Sequence, residues 1–519
     1  MNQTETILEY HQRTKHHPKR YAASLGYMDW ATQPDPFREY IGTQRISLPL
    51  SFDNPTPTYT QVMSAAVTPQ APLTIESLSQ LLQFSLGIAA WKCLGNDCWA
   101  LRCNASSGNL QPTEATLVLP PLKGISDKSV VAHYHVKAHA LEILAEFETD
   151  YWQDRQVDGC YVLLTSIPWR EMWKYGERAF RYVNLDLGHA LHALHVSSRT
   201  LGWSSTSVAL PSEQLERLSG LDQPERYHPS EVELAQTLLY LGSSTTGTHS
   251  PDALLTTLPQ KFQGSANLLS HSHHPWEVVE LAIRATQESA SLPLDFDQTP
   301  KECTLENARP IKEILLQRRS AQAMDFARTH ISFEQFEQLL HSGFQAVNTE
   351  KTPVSFVLFV HDVEDLEKGL YFYVPNPQHL ATLKRLSRKE FLWQEQTPDL
   401  YLLEKGDFRS QAKFISCSQD IAGDGAFSLG MITQFDEPIE RDGAAAYKTL
   451  YWECGRLGQQ LYLEATALGL SATGIGCYLD DVMHRMLGFQ ESSYQTLYHF
   501  TIGRAIIDTR MSMREPYSR

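Results

Sequence analysis

Apolar residues recur at a spacing near 3.6 through Phe180, Leu187, Leu191 and Leu194, and again through Tyr447, Leu450, Leu457, Leu461 and residues 465–468. Each run predicts a long helix that stops at a glycine suited to a C-terminal cap, Gly202 in one case and Gly469 in the other. Two shorter segments also match each other. Residues 74–82 read almost position for position as residues 332–340, each with a hydroxyl N-cap, a Glu in the first turn and apolar residues at helical spacing. Short apolar runs at 117–119, 131–136 and 159–166, and at 354–360, 369–374 and 425–433, are β-capable.

These matches are systematic. Gly176, Gly188 and Gly202 correspond to Gly443, Gly455 and Gly469 at a constant offset of 267. Each half therefore reads as a helix, strands, a further strand, a long helix and a closing strand. The fold class predicted is α+β: two tandem domains, each a mixed, mainly antiparallel sheet flanked by helices. Residues 242–272 are rich in Ser, Thr, Gly, His and Pro and suggest a linker or surface excursion. The expected division is 1–245, a linker at 246–300, and 301–519. A tandem copy is expected to preserve the interface of a symmetric homodimer, here as a pseudo-two-fold pair within one chain that can be monomeric. Gly455, Gly458, Ala465 and Ala467 supply small residues for close packing against the other copy.

Composition narrows the function. The chain has 519 residues, 20% charged and 42% hydrophobic, an ordinary globular balance long enough for two or three domains. A formal charge of −16 argues against nucleic acid and anionic membrane surfaces, the short basic run at 15–20 being too small to reverse it. No window reaches the length of a spanning helix and the first residues are polar, so a cytoplasmic location is expected. Eight scattered cysteines predict reduced thiols, leaving redox chemistry to a cofactor. Gly423-Asp424-Gly425 opens like a dinucleotide fingerprint, but Ser428 replaces its third glycine. His189, His192 and His195 read as a polar helix stripe, and His133, His135 and His139 carry no ligand pattern; Cys93, Cys98 and Cys103 lack zinc spacing, so no metal is expected.

Three segments carry a family resemblance. Arg102-Cys103-Asn104-Ala105-Ser106-Ser107-Gly108, followed by Pro112 and Glu114, resembles a loop of the nitroreductase superfamily's SagB-type dehydrogenase branch, departing at Ala105 where proline is usual. Arg318-Arg319-Ser320 resembles the family's phosphate-gripping Arg, one residue, Ser. Residues 455–478, with the closing Thr501-Ile502-Gly503-Arg504, are similar to the branch's most recognisable block. The resemblance implies FMN bound between two nitroreductase-like domains, with Arg318, Arg319, Ser320 and Arg504 at its phosphate. Gly474, Ile475, Gly476 and Cys477 would lie along its ring, with a backbone N–H of Gly476 or Cys477 facing the N5 atom that exchanges hydride. No side chain is assigned a catalytic role. Guanidinium is the fitting group for a phosphate dianion because it offers paired, charge-assisted hydrogen bonds.

The halves differ in a complementary way. The first keeps the Ser-Ser-Gly loop but has Ser207 and Ala209 where the second has Gly474 and Gly476, and it ends in Ser243 where the second has Arg504. The second lacks the loop. One complete composite site is therefore expected, with Arg102, Ser106, Ser107 and Gly108 from the first half and the remaining residues from the second, and so one FMN per chain. Many family members have a lysine two residues after the serine; here it is Gln322, which implies a lower flavin potential or another cation. The implied activity is an FMN-dependent oxidoreductase with ping-pong hydride transfer and NAD(P)H as a donor. Alternatives are oxidation of an azoline or similar ring in a peptide-derived substrate, or a flavin-free binding or scaffold protein.

Overall fold

A computed structural model describes residues 2–64, 68–155, 157–242, 250–287, 292, 294–296 and 305–517. Two long helices cross at its centre, α1 (Ala179–Arg199) and α2 (Ala446–Ala467), each buried along nearly its whole length. Both predicted caps form. The N–H of Trp203 donates to the Ser198 carbonyl and that of Leu470 to the Ala465 carbonyl. The intervening Gly202 and Gly469 adopt left-handed φ values of 68° and 69°.

Each helix backs a seven-stranded sheet whose strand-to-strand pairings are antiparallel, and a parallel bridge from Ser320 to Ala472 adds to the edge of the second. The first sheet runs, edge to edge, Gln44–Ser47, Ala140–Phe147, Ser129–His135, Thr113–Leu119, Gly159–Ser166, Leu234–Gly242 and Ser204–Val208. The second runs Gln394–Thr397, Leu400–Lys405, Gly369–Tyr373, Val354–Val360, Phe427–Gln434, Tyr494–Gly503 and Ser471–Ile475. Leaving aside the first strand of each, the chain order across the two sheets is identical. The central strands are buried on both faces, which is why they read as apolar runs rather than alternating ones. The matched short helices are Ile75–Ser85, capped by Thr74, and Phe333–Gly343, capped by Ser332.

The halves are interwoven. The strand Met511–Arg514 pairs with Ile88–Leu94, and the Tyr517 hydroxyl accepts from Ile88 N at 2.8 Å and donates to Val136 O at 3.0 Å, so the end of the second half is fastened to the first. In return the N-terminal arm lies on the second half. Lys15 pairs with Asp481 at 3.0 Å and the N–H of His16 donates to Asp480, so the short basic run is spent on an internal clamp.

Two expectations change. The stretch expected as a linker is packed where it is described: Leu254, Leu258 and Phe262 are buried, and Ser265–Ala266 pairs with Tyr40–Ile41; part of it, residues 243–249, lies outside the described residues, as does Ser243. Cys93 and Cys98, expected as free thiols, form a disulfide because they sit directly opposite each other in the hairpin Ile88–Leu94 and Asp97–Arg102. Among the described residues no helix is long and apolar enough to cross a membrane.

Candidate functional site

A cavity of about 650 Å³ opens where the two halves meet. From the first half it is lined by Lys92, Trp99, residues 104–109, Tyr175, Tyr182, Asp186 and His189. From the second come residues 318–322, Cys417, Gln419, Tyr462, residues 474–477, Tyr498 and Met513. Ser106, Ser107, Gly108, Arg318, Arg319, Ser320, Gln322, Gly474, Ile475, Gly476 and Cys477 therefore share one wall system.

The segment carrying Arg318 is fixed by the edge strand of the second sheet. Ser320 bridges to Ala472, the N–H of Ala321 donates to the Ala472 carbonyl at 2.9 Å, and the Thr473 hydroxyl donates to the Ala321 carbonyl at 2.7 Å. The buried Arg318 guanidinium crosses to the other half, where Nε and Nη2 donate to the carbonyls of Cys103 and Arg102, each at 2.9 Å, and it lies 5.1 Å from the centre of the Tyr462 ring. Among the described residues its Nη1 has no hydrogen-bond partner. Arg319 bends back onto the carbonyls of Leu316 and Arg318, leaving a buried Nε unpaired. Neither arginine has a carboxylate within ion-pair reach among the described residues. Burial holds both guanidinium pKa values down, that of Arg319 at about 10 with its neighbour Arg318 adding to the effect.

The Ser-Ser-Gly loop is anchored on a residue absent from the expected set. Asp186, on α1, accepts hydrogen bonds from the Ser106 hydroxyl at 2.6 Å, the Ser107 N–H at 2.9 Å and the Ser107 hydroxyl at 2.8 Å. Burial nevertheless raises its pKa to about 7, the three hydrogen bonds opposing the shift. The carboxyl thus faces the cavity poised to take or give a proton near neutrality. Glu171, buried with both oxygens unpaired, is held well up by burial and then by the charge of Asp186.

Gly474 and Gly476 are crowded by tyrosines rather than open. A Cβ on Gly474 would meet the Tyr498 ring and one on Gly476 the Tyr182 ring, so the side chain is excluded before any ligand enters. Tyr182 stacks on Tyr175 with centroids 4.1 Å apart, and the Tyr462 hydroxyl bridges Ser320 at 2.7 Å to the Gly474 N–H at 2.8 Å. The histidine stripe is buried in the helix crossing: His189 contacts Gln459 at 3.1 Å and the Tyr498 hydroxyl at 3.0 Å, and burial keeps it neutral.

Two expected residues do not reach the cavity. Arg102 contributes only its carbonyl, because its guanidinium is turned inward to the carbonyls of Thr113 and Pro36. Arg504 is exposed just beyond the last sheet strand, where its carbonyl accepts from the Asp325 N–H at 2.7 Å; its side chain is not part of the lining. Ser207 and Ala209 are likewise absent from it. Lys92, unflagged in the sequence, reaches across the halves to Gln322 Oε1 at 3.2 Å. Asp186, Lys92, Cys417 and the tyrosines are common residue types in unremarkable surroundings, and only the crossing of the halves gives them a shared location.

Comparison with known proteins bears on the fold. The Nitroreductase family profile matches residues 315–504. The match covers most of the second half. A protein of Methanocaldococcus jannaschii provisionally named a nitroreductase is 23% identical over 189 residues, spanning 35% of this chain and 85% of its own length. The crystal structure of another provisionally named nitroreductase, from Anabaena variabilis ATCC 29413, is 23% identical, with a TM-score of 0.71 over 96% of this chain and 99% of that one. The fold shared with the latter extends over both halves, beyond the residues that the family profile matches.

Proposed function

We propose that the chain is an FMN-dependent oxidoreductase with one flavin in the composite cavity, and that its halves are the two subunits of an ancestral dimer joined in one chain. The observation that carries the reading is the pair Arg318 and Arg319: adjacent guanidiniums, desolvated, lining a cavity and without a carboxylate. Such charges are costly unless an anion is drawn between them, and a phosphate dianion suits the unpaired Nη1 of Arg318 and Nε of Arg319. The volume lies within the range of cofactor pockets.

When bound, the flavin supplies the exchange of hydride with substrate. The chain's residues do the rest. Arg318 and Arg319 hold the phosphate, with the Ser320 hydroxyl beside them. The main chain of residues 474–477 forms a wall, and Tyr175 and Tyr182 keep water from it. Lys92 supplies the cation missing at Gln322. Asp186 holds a proton near neutral pH that can be passed to a reacting group.

NAD(P)H is the donor we assign, as it would share the open face of the flavin with the later acceptor. Anaerobic mixing with NADH or NADPH should bleach the flavin; its persistence would favour ring oxidation of a peptide-derived substrate of the SagB type. Acid release should yield one FMN per chain. A value near two would overturn the asymmetric site, and none after incubation with FMN would favour a flavin-free scaffold.

A further inference from the structure

The cavity wall formed by Cys417 and Cys477 has no part in holding a phosphate or a proton at Asp186. Cys477 directly follows Gly476 at the end of the second sheet's edge strand, and Cys417 follows the helix Arg409–Ile415. Two hydrogen bonds bring the loops together on either side of the cysteines: the Leu479 N–H donates to the Ile415 carbonyl at 2.7 Å, and Gln419 Nε2 donates to the Cys477 carbonyl at 3.3 Å. Both side chains line the cavity and neither is fully buried.

The backbone at this point is strained. Cys417 and Ser418 both adopt left-handed φ, 56° and 60°, a conformation that costs non-glycine residues of order 1 kcal/mol each and tends to persist at functional sites. The proximity of the two thiols pushes Cys417 up and Cys477 down, with Arg178 adding to the lowering of Cys477 and Tyr21 opposing the rise of Cys417. Among the described residues the other free cysteines contrast with this pair: Cys103, Cys160 and Cys454 are buried, and burial pushes each thiol up to about 12.

We propose that Cys417 and Cys477 form a redox-active dithiol that exchanges two electrons with a flavin in the same cavity. The two thiols lose two protons and two electrons as an Sγ–Sγ bond forms, and oxidised FMN takes up both electrons and both protons. The reverse reaction cleaves the bond and restores the thiols. With Tyr21 half-exposed above Cys417, a small external disulfide can be reduced by exchange at the pair, giving two small thiols and the internal disulfide. The chain would then couple its flavin to thiol–disulfide chemistry. The flavin step rests on the cofactor reading; the disulfide does not.

The test uses the full chain as a Cys303→Ser variant, which removes a cysteine outside the described residues. The protein is equilibrated anaerobically in glutathione buffers of graded potential, the thiols are trapped by alkylation, and the peptides are mapped by mass. We expect a linked Cys417–Cys477 peptide that titrates as one two-electron couple. In Cys417→Ser, a mixed disulfide of glutathione should remain on Cys477. Independent alkylation of both cysteines across the whole range would overturn the proposal. In a second arm, oxidised FMN is added anaerobically to the protein whose dithiol has been reduced. Bleaching should match the linked peptide in amount and vanish in Cys417→Ser and Cys477→Ser. FMN that binds without forming the link overturns the electron transfer. A link that forms in glutathione without FMN binding overturns the cofactor reading instead.

Discussion

Gly188 and Gly455 touch backbone to backbone where α1 crosses α2. A Cβ placed on Gly188 would lie 2.8 Å from the Gly455 Cα, and one on Gly455 would lie 2.8 Å from the Gly188 Cα, each closer still to a carbonyl of the opposing helix. These are equivalent positions in the two copies, so they meet where a two-fold axis relating the halves would pass. The cavity depends on this contact, since Asp186 stands two residues before Gly188 while Gln459, four residues after Gly455, accepts from the Ala105 N–H at 3.1 Å.

Gly455→Val should therefore separate the helices and damage both stability and the cavity. Overpacking of a tight core typically costs about 1–3 kcal/mol, and carbonyl rather than flexible side-chain atoms form the obstruction, so the upper end is expected. Thermal denaturation should show a marked fall in Tm, whereas Gly469→Asn, at an open left-handed position, should change it little. Equal effects would mean that the crossing does not set the structure.

Arg319→Ala should weaken FMN binding roughly tenfold or more, from loss of charge-assisted hydrogen bonds worth about 1.5–3 kcal/mol, without unfolding the chain. Arg318→Ala should weaken it further and also lower Tm, because that guanidinium ties residues 102 and 103 to the second half. Flavin fluorescence titration measures the first effect and calorimetry the second. Unchanged affinity in Arg319→Ala would place the phosphate elsewhere.

Most strands, both long helices and the glycines that end them were legible because burial leaves periodic apolar runs and left-handed φ selects glycine. The Ser-Ser-Gly loop and residues 318–320 were legible as pieces of one cavity through their resemblance to a family whose sites are shared between subunits. Other features were not legible. Arg102 reads as a ligand but its side chain is consumed by Thr113 and Pro36, and nothing local distinguishes a guanidinium aimed at carbonyls from one aimed at a phosphate. Asp186 sits in an apolar helix with no motif, and its role depends on which side of α1 faces the loop. Lys92 is remote in sequence from Gln322, and the disulfide beside it depends on a hairpin register that spacing alone does not determine.

Lys92→Met should lower the reduction potential of the bound flavin, because a cation near Gln322 favours the more negatively charged reduced form. A loss of about 1.4 kcal/mol corresponds to roughly 30 mV for a two-electron couple, a shift that dye equilibration resolves. Adding Gln322→Lys to that variant should restore the potential. A potential unaffected by either change would remove Lys92 from the site.

Asp186 should leave a mark on both stability and rate. In the folded chain its carboxyl keeps a proton up to about pH 7, whereas in the unfolded chain it ionises near pH 4. Between those values the folded state binds more protons than the unfolded one, so this group's contribution to stability falls as pH rises from about 4 to about 7 and levels off above. Three units correspond to about 4 kcal/mol, an upper figure that local relaxation reduces. Asp186→Asn abolishes that loss, so the stability difference between variant and parent should shift in favour of the variant from pH 5 to pH 8 in urea titrations. The rate profile should change in parallel: an inflection near pH 7 in the parent, absent in Asp186→Asn at equal flavin content. If the variant keeps the inflection and the same pH dependence of unfolding, the carboxyl facing the Ser106 and Ser107 hydroxyls is neither a proton store nor strained by its burial.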